Sequence, residues 1–253
     1  MQFAEVKPSD IAINHHYLQS QEMNKIFQQV LVPLTALTTP LQSWGIWGSA
    51  NQVSTPEMVC GAANYTTEIV SLDPLAVYIN GFMSKSEIAY LRNLLTHLAR
   101  DDPMVECIIK RSTDFVGFIP HDGFEALQVV RYFENERHDP HFDWFQSPPK
   151  IASGLTCNRA ASFFVYLGDE PEGGETCFHY LYPAPPDADP KKFSNINSDD
   201  GLGVAVKPIT GNAMFWMNLY SNNTGDPRVQ HSALPIRSGT KYGMNILLKR
   251  CWE

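Results

Sequence analysis

The chain has 253 residues, 43% of them hydrophobic and 18% charged, which is enough to bury a substantial core in one globular domain with an extension. Its formal charge of -8 and its lack of long Lys/Arg runs speak against a nucleic-acid-binding surface. The five cysteines, Cys60, Cys107, Cys157, Cys177 and Cys251, form no C-x-x-C pair and read as reduced, mostly buried thiols, so the expected home is the cytoplasm.

Residues 1–70 carry weak periodicity and scattered Pro, Ser and Asn, and read as an N-terminal extension packed on a domain formed by residues 71–253. The opening Met1-Gln2-Phe3-Ala4-Glu5-Val6-Lys7-Pro8 has an acid and a proline where a secretory leader needs a basic start and an apolar run. Two sequons, Asn64-Tyr65-Thr66 and Asn222-Asn223-Thr224, would matter only in a secretory protein. The apolar stretch from Val30 to Ala50 is interrupted by Pro33, Pro40, Gln42 and Ser43, so no membrane span is expected there.

Regular structure is predicted to start at Leu75–Ile79, a β-type run. Ser84-Lys85-Ser86-Glu87 then has the form of a capping box, and Ile88, Leu91, Leu94, Leu95 and Leu98 follow at helical spacing to about Arg100. From Leu127 onward short β-rich runs alternate with turns: Leu127–Phe133, His141–Phe145, Ser162–Leu167, Val204–Lys207, Ala213–Met217 and Tyr242–Leu248. Such spacing predicts a mainly β sandwich, barrel or jelly roll with flanking helices. The Pro/Asp/Lys/Asn-rich interval from Tyr182 to Asp200 reads as a long surface loop.

In Asp139-Pro140-His141-Phe142-Asp143-Trp144-Phe145, His141 and Asp143 stand two apart within an otherwise aromatic run. On a strand such residues share a face, so an imidazole and a carboxylate would project together into the interior, where a metal ion is a natural partner. His231, in the β-type stretch Arg228–Ala233, is the candidate third ligand. Two histidines and one carboxylate with open positions is the donor set of non-haem iron(II) oxygenases, whereas a structural zinc site is closed by four protein ligands. Ten residues after His231 comes Lys241, opening another β-type run.

Four ordered segments resemble the prolyl 4-hydroxylase-like branch of the iron(II)/2-oxoglutarate dioxygenases over roughly residues 71–249. They are Leu127-Gln128-Val129-Val130-Arg131-Tyr132 leading to Pro140–Asp143; Tyr166-Leu167 with Glu172-Gly173-Gly174-Glu175-Thr176; Val206-Lys207-Pro208 with Gly211-Asn212-Ala213; and His231 with Lys241. The resemblance implies a double-stranded β-helix, the jelly-roll-like core of that family. It assigns iron(II) to His141, Asp143 and His231, the distal carboxylate of 2-oxoglutarate to Lys241, and hydroxyl donors to that carboxylate to Tyr132 and Thr176. It also implies C–H oxidation by dioxygen (hydroxylation, desaturation or ring closure) with release of succinate, helped by ascorbate.

Two other classes compete: a non-catalytic jelly-roll module with a structural metal, and a zinc hydrolase. Lys241 and Thr176 argue against the first, since a structural site needs no carboxylate anchor, and no motif places a general-base Glu for the second. For the substrate, Glu125 and Arg159 fall where the prolyl hydroxylases place pocket residues, but His138 replaces a usual tyrosine and Leu247 a frequent tryptophan. The expectation is therefore a small amino-acid-derived substrate whose carboxylate pairs with Arg159, with a peptidyl-prolyl 4-hydroxylase as the alternative. The oligomeric state is not legible.

Overall fold

The structure is a computed structural model that describes residues 64–253 except 95–97, 118, 169–170 and 197–198. Most of the expected N-terminal extension, with His15, His16 and Cys60, and the end of the first predicted helix, with His97, lie outside the described residues. No helix among the described residues is long and apolar enough to cross a membrane.

The described chain opens as a hairpin. β1 (Thr66–Leu72) pairs antiparallel with β2 (Leu75–Asn80) across Asp73-Pro74, a cis peptide bond. The expected boundary at residue 70 falls within this strand. As an edge strand with a solvated face, Thr66–Leu72 mixes Glu and Ser with its β-branched residues and lacks a continuous apolar run. The predicted capping box forms: Ser84 N–H donates to Glu87 Oε2 at 2.7 Å, and Glu87 N–H donates to Ser84 Oγ at 3.3 Å. It starts α1 (Lys85–Leu94), which buries Ile88 and Leu91.

A second helix, α2 (Pro103–Val116), was not anticipated. Its signals are nevertheless local: Asp102 caps it by accepting from Met104 N–H at 2.8 Å, Pro103 opens it, and Val105, Ile108, Ser112 and Phe115 recur on its buried face.

The remaining strands are β3 (Gln128–Tyr132), β4 (His138–His141), β5 (Thr156–Gly168), β6 (Glu172–Gly173), β7 (Thr176–Phe178), β8 (Phe193–Asn195), β9 (Val204–Val206), β10 (Ala213–Met217), β11 (His231–Ala233), β12 (Ile236–Ser238) and β13 (Lys241–Trp252). The interval expected as loop from Tyr182 to Asp200 holds β8, a three-residue strand anchored by buried Phe193. A strand this short shows no period against its Asp- and Lys-rich surroundings.

Two sheets face each other, ordered β1-β2-β10-β5-β13-β3 and β4-β11-β7-β9-β8, and β12 pairs with β6 apart from them. This is the jelly-roll core that the sequence predicts, with helices on one face. Strand periodicity divides the core into two layers. On β5, Phe163, Val165 and Leu167 point toward α1 and α2, joined by Ile79, Phe215 and Ile246. Phe164 and Tyr166 point between the sheets, joined by Tyr78, Trp216, Phe178 and Val206.

The cysteine expectation fails. Cys157 and Cys251 form a disulfide, Cys107 is also disulfide-bonded, and Cys177 is a buried free thiol. Sequence spacing hides the first pair, because β5 and β13 bring residues 94 apart into register.

Candidate active site

Antiparallel pairing of β4 with β11 sets His141 directly opposite His231, with ring centroids 4.3 Å apart. The strand ends at His141, so Asp143 reaches the same point from the bend that follows and not from a continued strand, as the i, i+2 argument had expected. Asp143 Oδ1 lies 3.8 Å from His141 Nε2 and 3.7 Å from His231 Nε2. One donor atom from each residue falls within 4.8 Å of the others.

The surroundings fix which atoms face inward. His141 Nδ1 lies 2.8 Å from the Asp139 carbonyl and His231 Nδ1 3.1 Å from the Val229 carbonyl. A carbonyl only accepts, so each Nδ1 carries a proton, and Nε2 is the atom turned inward that could ligate a metal. Burial pushes His141 down to about 4; His231 and His138 add to this while the Asp139 carbonyl and Asp143 oppose it. Asp143 Oδ2 accepts from Ser162 Oγ at 2.6 Å, and Ser162 Oγ in turn accepts from Asn218 Nδ2 at 2.8 Å.

Lys241 starts β13 opposite Tyr132 of β3, and its side chain is 1% exposed. The ammonium donates to the Gly174 carbonyl at 2.7 Å and lies 4.8 Å from the Phe164 ring centre. No carboxylate pairs with it among the ion pairs of the described residues. Burial pushes it down to about 7, against the opposing pull of Cys177 and Glu175. Tyr166 donates to Thr176 Oγ1 at 3.0 Å, which leaves the Thr176 hydroxyl proton free for a ligand. Burial also raises Tyr132 and Tyr166, keeping both as neutral donors.

Arg159 does not offer a free guanidinium. Its Nε and Nη2 make a two-pronged pair with Glu125 at 2.9 and 3.0 Å, and Nη1 donates to the Asp143 carbonyl at 3.2 Å. The two residues expected to greet a substrate thus bind each other and brace the segment that carries Asp143. His138 is exposed, its ring tilted against that of His141 with centroids 3.8 Å apart. His179 bonds Ser232 at 2.9 Å and His121 accepts from Gly123 N–H at 3.2 Å, so neither joins the cluster. Beside the ligand-bearing segments a cavity of about 550 Å³ is lined by Asp73, Phe142, Tyr180, Tyr182, Arg228 and Gln230, among others.

A sequence model of the 2OG-Fe(II) oxygenase superfamily matches residues 127–249. The chain is 30% identical over 207 residues to probable prolyl 4-hydroxylase 3 of Arabidopsis thaliana, covering 70% of this chain and 69% of that one. The chain belongs to the 2OG-Fe(II) oxygenase superfamily, in its prolyl 4-hydroxylase-like branch. Probable prolyl 4-hydroxylase 6 of the same plant is 35% identical over 125 residues, 49% of this chain and 42% of the other. In fold, the oxygenase resembles the viral collagen prolyl hydroxylase of Paramecium Bursaria Chlorella virus-1, solved with 2OG, at TM-score 0.53 and 23% identity over 69% of this chain and 94% of that one.

The residues of the oxygenase fit what that family binds. Two imidazole nitrogens and a carboxylate oxygen converge, with the rest of the coordination sphere left for a bidentate oxo-acid and dioxygen. Bound there, iron(II) with 2-oxoglutarate supplies the oxidation of a substrate C–H bond by dioxygen, with succinate and carbon dioxide as coproducts. The chain would hold the metal through His141, Asp143 and His231. Lys241, Tyr132 and Thr176 would receive the distal carboxylate, and the burial of Lys241 and Thr176 would strengthen such contacts.

Sequence reasoning missed Ser162 and Asn218, and gave no role to Tyr166 within its motif. Their signal was parity: a serine stands on the inward set of β5 with Phe164 and Tyr166, and a buried asparagine follows β10 directly.

Proposed function

We propose that this oxygenase hydroxylates a proline borne on a peptide or protein, the alternative that the sequence reading had set behind a small amino-acid-derived substrate. The observation that carries it is the likeness to plant prolyl 4-hydroxylases over about two thirds of both chains. Two features of the site support it. Arg159 is committed to Glu125 and has no fork to spare for the carboxylate of a free amino acid. A cavity that flanks the ligand-bearing segments, lined by Phe142 and Gln230 and not by the ligands themselves, presents Phe142, Tyr180 and Tyr182, and aromatic walls of this kind suit an extended proline-rich chain. Arg228 in its wall is bonded to Asp226 and Asp73, so the cavity is not built to hold an anion.

The chain's own residues then have simple tasks. The β4/β11 pair and the bend after β4 hold the metal donors, Lys241 anchors 2-oxoglutarate, and the mouth orients one C–H bond toward the metal. With iron(II), 2-oxoglutarate and oxygen, proline-rich peptides are expected to drive succinate formation and to gain one oxygen atom on proline by mass spectrometry. Succinate formation with free amino acids and none with peptides would restore the small-molecule reading.

The Cys157–Cys251 disulfide supports an oxidising compartment in place of the cytoplasm. Alkylation of the protein taken directly from cells, with and without reductant, tests this. Free Cys157 and Cys251 would return the location to a reducing one.

A further inference from the structure

We propose that Ser162 and Asn218 are positioning residues that keep Asp143 a one-oxygen metal ligand, a statement that rests on His141, Asp143 and His231 holding the iron. Both side chains are fully buried on the inward side of the main sheet. Among Phe164, Tyr166 and Trp216 on neighbouring inward positions, a hydroxyl and an amide have no place in the packing unless they have partners. Ser162 has Asp143 as its partner, and Asn218 has Ser162.

The hydrogen bonds have a forced direction. Asn218 Nδ2 can only donate, and it donates to Ser162 Oγ at 2.8 Å. That contact occupies a lone pair of Oγ and turns the Ser162 proton toward Asp143 Oδ2, 2.6 Å away. A short charge-assisted bond of this kind holds the carboxylate in one rotation about its own axis. Oδ1 is then the oxygen left beside the two imidazoles, at 3.7 and 3.8 Å. The backbone of Asn218 is held on both sides, its main-chain N–H donating to the Ala160 carbonyl at 2.8 Å and its main-chain carbonyl accepting from Asp226 N–H at 2.9 Å, while its side-chain Oδ1 has no hydrogen-bond partner among the described residues.

The consequence lies in the open positions. A carboxylate free to chelate through both oxygens would take the place that dioxygen needs once a bidentate 2-oxo acid is seated. The relay from Asn218 through Ser162 to Asp143 Oδ2 keeps that place clear. Arg159 complements it by holding the Asp143 backbone carbonyl at 3.2 Å, on the other side of the residue.

The test uses the full chain with cobalt(II) as a visible probe of the coordination sphere. Wild type is expected to bind cobalt(II) in calorimetry and to change its visible spectrum when 2-oxoglutarate is added. Ser162→Ala is expected to bind cobalt(II) about 10–100-fold more weakly. Its visible spectrum should be altered and should respond less to 2-oxoglutarate, while near-UV circular dichroism stays that of the folded protein. Ser162→Thr, which keeps the hydroxyl, should return the spectrum toward wild type. Asn218→Leu should move affinity in the same direction by less, and should add nothing to Ser162→Ala, because both act through one proton. If Ser162→Ala does not fold, Asn218→Leu decides alone. Wild-type affinity and spectra in the folded variants would overturn the relay, whereas failure of wild type to bind cobalt(II) would overturn the ligand set with it.

Discussion

Lys241 is the residue whose chemistry is most exposed to test. Its ammonium is buried with a single carbonyl partner, and burial holds it near pH 7, well below the ordinary lysine value. Between about 7 and the ordinary value the unfolded chain binds the proton that the folded chain has released. The cost of Lys241 to folding is therefore full below pH 7 and fades as pH rises through that window. A dicarboxylate in the pocket favours the charged form, so 2-oxoglutarate binding at pH 8 is expected to take up close to one proton, and at pH 6 almost none. Calorimetry in buffers of different ionisation heat measures this, and equal uptake at the two pH values would contradict it. Lys241→Ala removes a charge-assisted contact worth about 1.5–3 kcal/mol. The 2-oxoglutarate requirement should then rise by about one to two decades, with little change in KM for the prime substrate. Equal effects on both would remove Lys241 from the anchoring role. Arg159 shows the limit of reading single residues: its motif position was legible, but its bonds to Glu125 and to the Asp143 carbonyl belong to the folded chain.

At the scale of elements, the Gly173-Gly174 pair is more than a turn. Gly174 has φ +70, and a Cβ there would lie 2.3 Å from Ile236 Cδ1 and 3.3 Å from Lys241 Cδ. Its carbonyl is the one that Lys241 grips, so the missing side chain lets the backbone between β6 and β7 approach the Lys241 ammonium. Gly174→Ala is expected to cost about 1–3 kcal/mol in urea unfolding. The same variant should raise the 2-oxoglutarate requirement, because Lys241 loses its seat. A variant as stable as wild type with unchanged cosubstrate use would refute this account. The strands themselves were legible where they form apolar, β-rich runs, as on β10 and β13, and were missed where they are short or lie at an edge, as with β8 and β1. α2 carried its cap and apolar stripe in plain sequence, a local signal left unread.

At the scale of the whole molecule, the disulfide between Cys157 and Cys251 ties the start of β5 to the end of β13, beside the Asn158 and Arg159 that brace Phe145 and Asp143. Replacing both cysteines by serine is expected to cost about 2–5 kcal/mol, seen as a lower Tm. An unchanged Tm would mean that the strand pairing alone holds that end. Metal removal acts on the whole activity: chelation should abolish succinate formation and iron(II) should restore it. Cobalt(II), nickel(II) and zinc should inhibit, since they bind such nitrogen and oxygen donors at least comparably well. Full turnover after exhaustive chelation would exclude the iron-dependent reading.

By itself the sequence determined the fold class and the superfamily, and it singled out the residues that we propose as metal donors and cosubstrate anchor. Strand parity and ordered motif spacing are local, and His141, Asp143, His231 and Lys241 each sit in a recognisable segment of their own. Only the tertiary structure decided how those segments meet. The β4/β11 register puts His141 against His231, and a bend rather than a strand delivers Asp143. Bonds across the fold join Arg159 to Glu125 and Cys157 to Cys251, and run from Asn218 through Ser162 to Asp143. These are contacts between residues far apart in the chain, set by sheet order and burial, and no spacing rule along one strand can reach them.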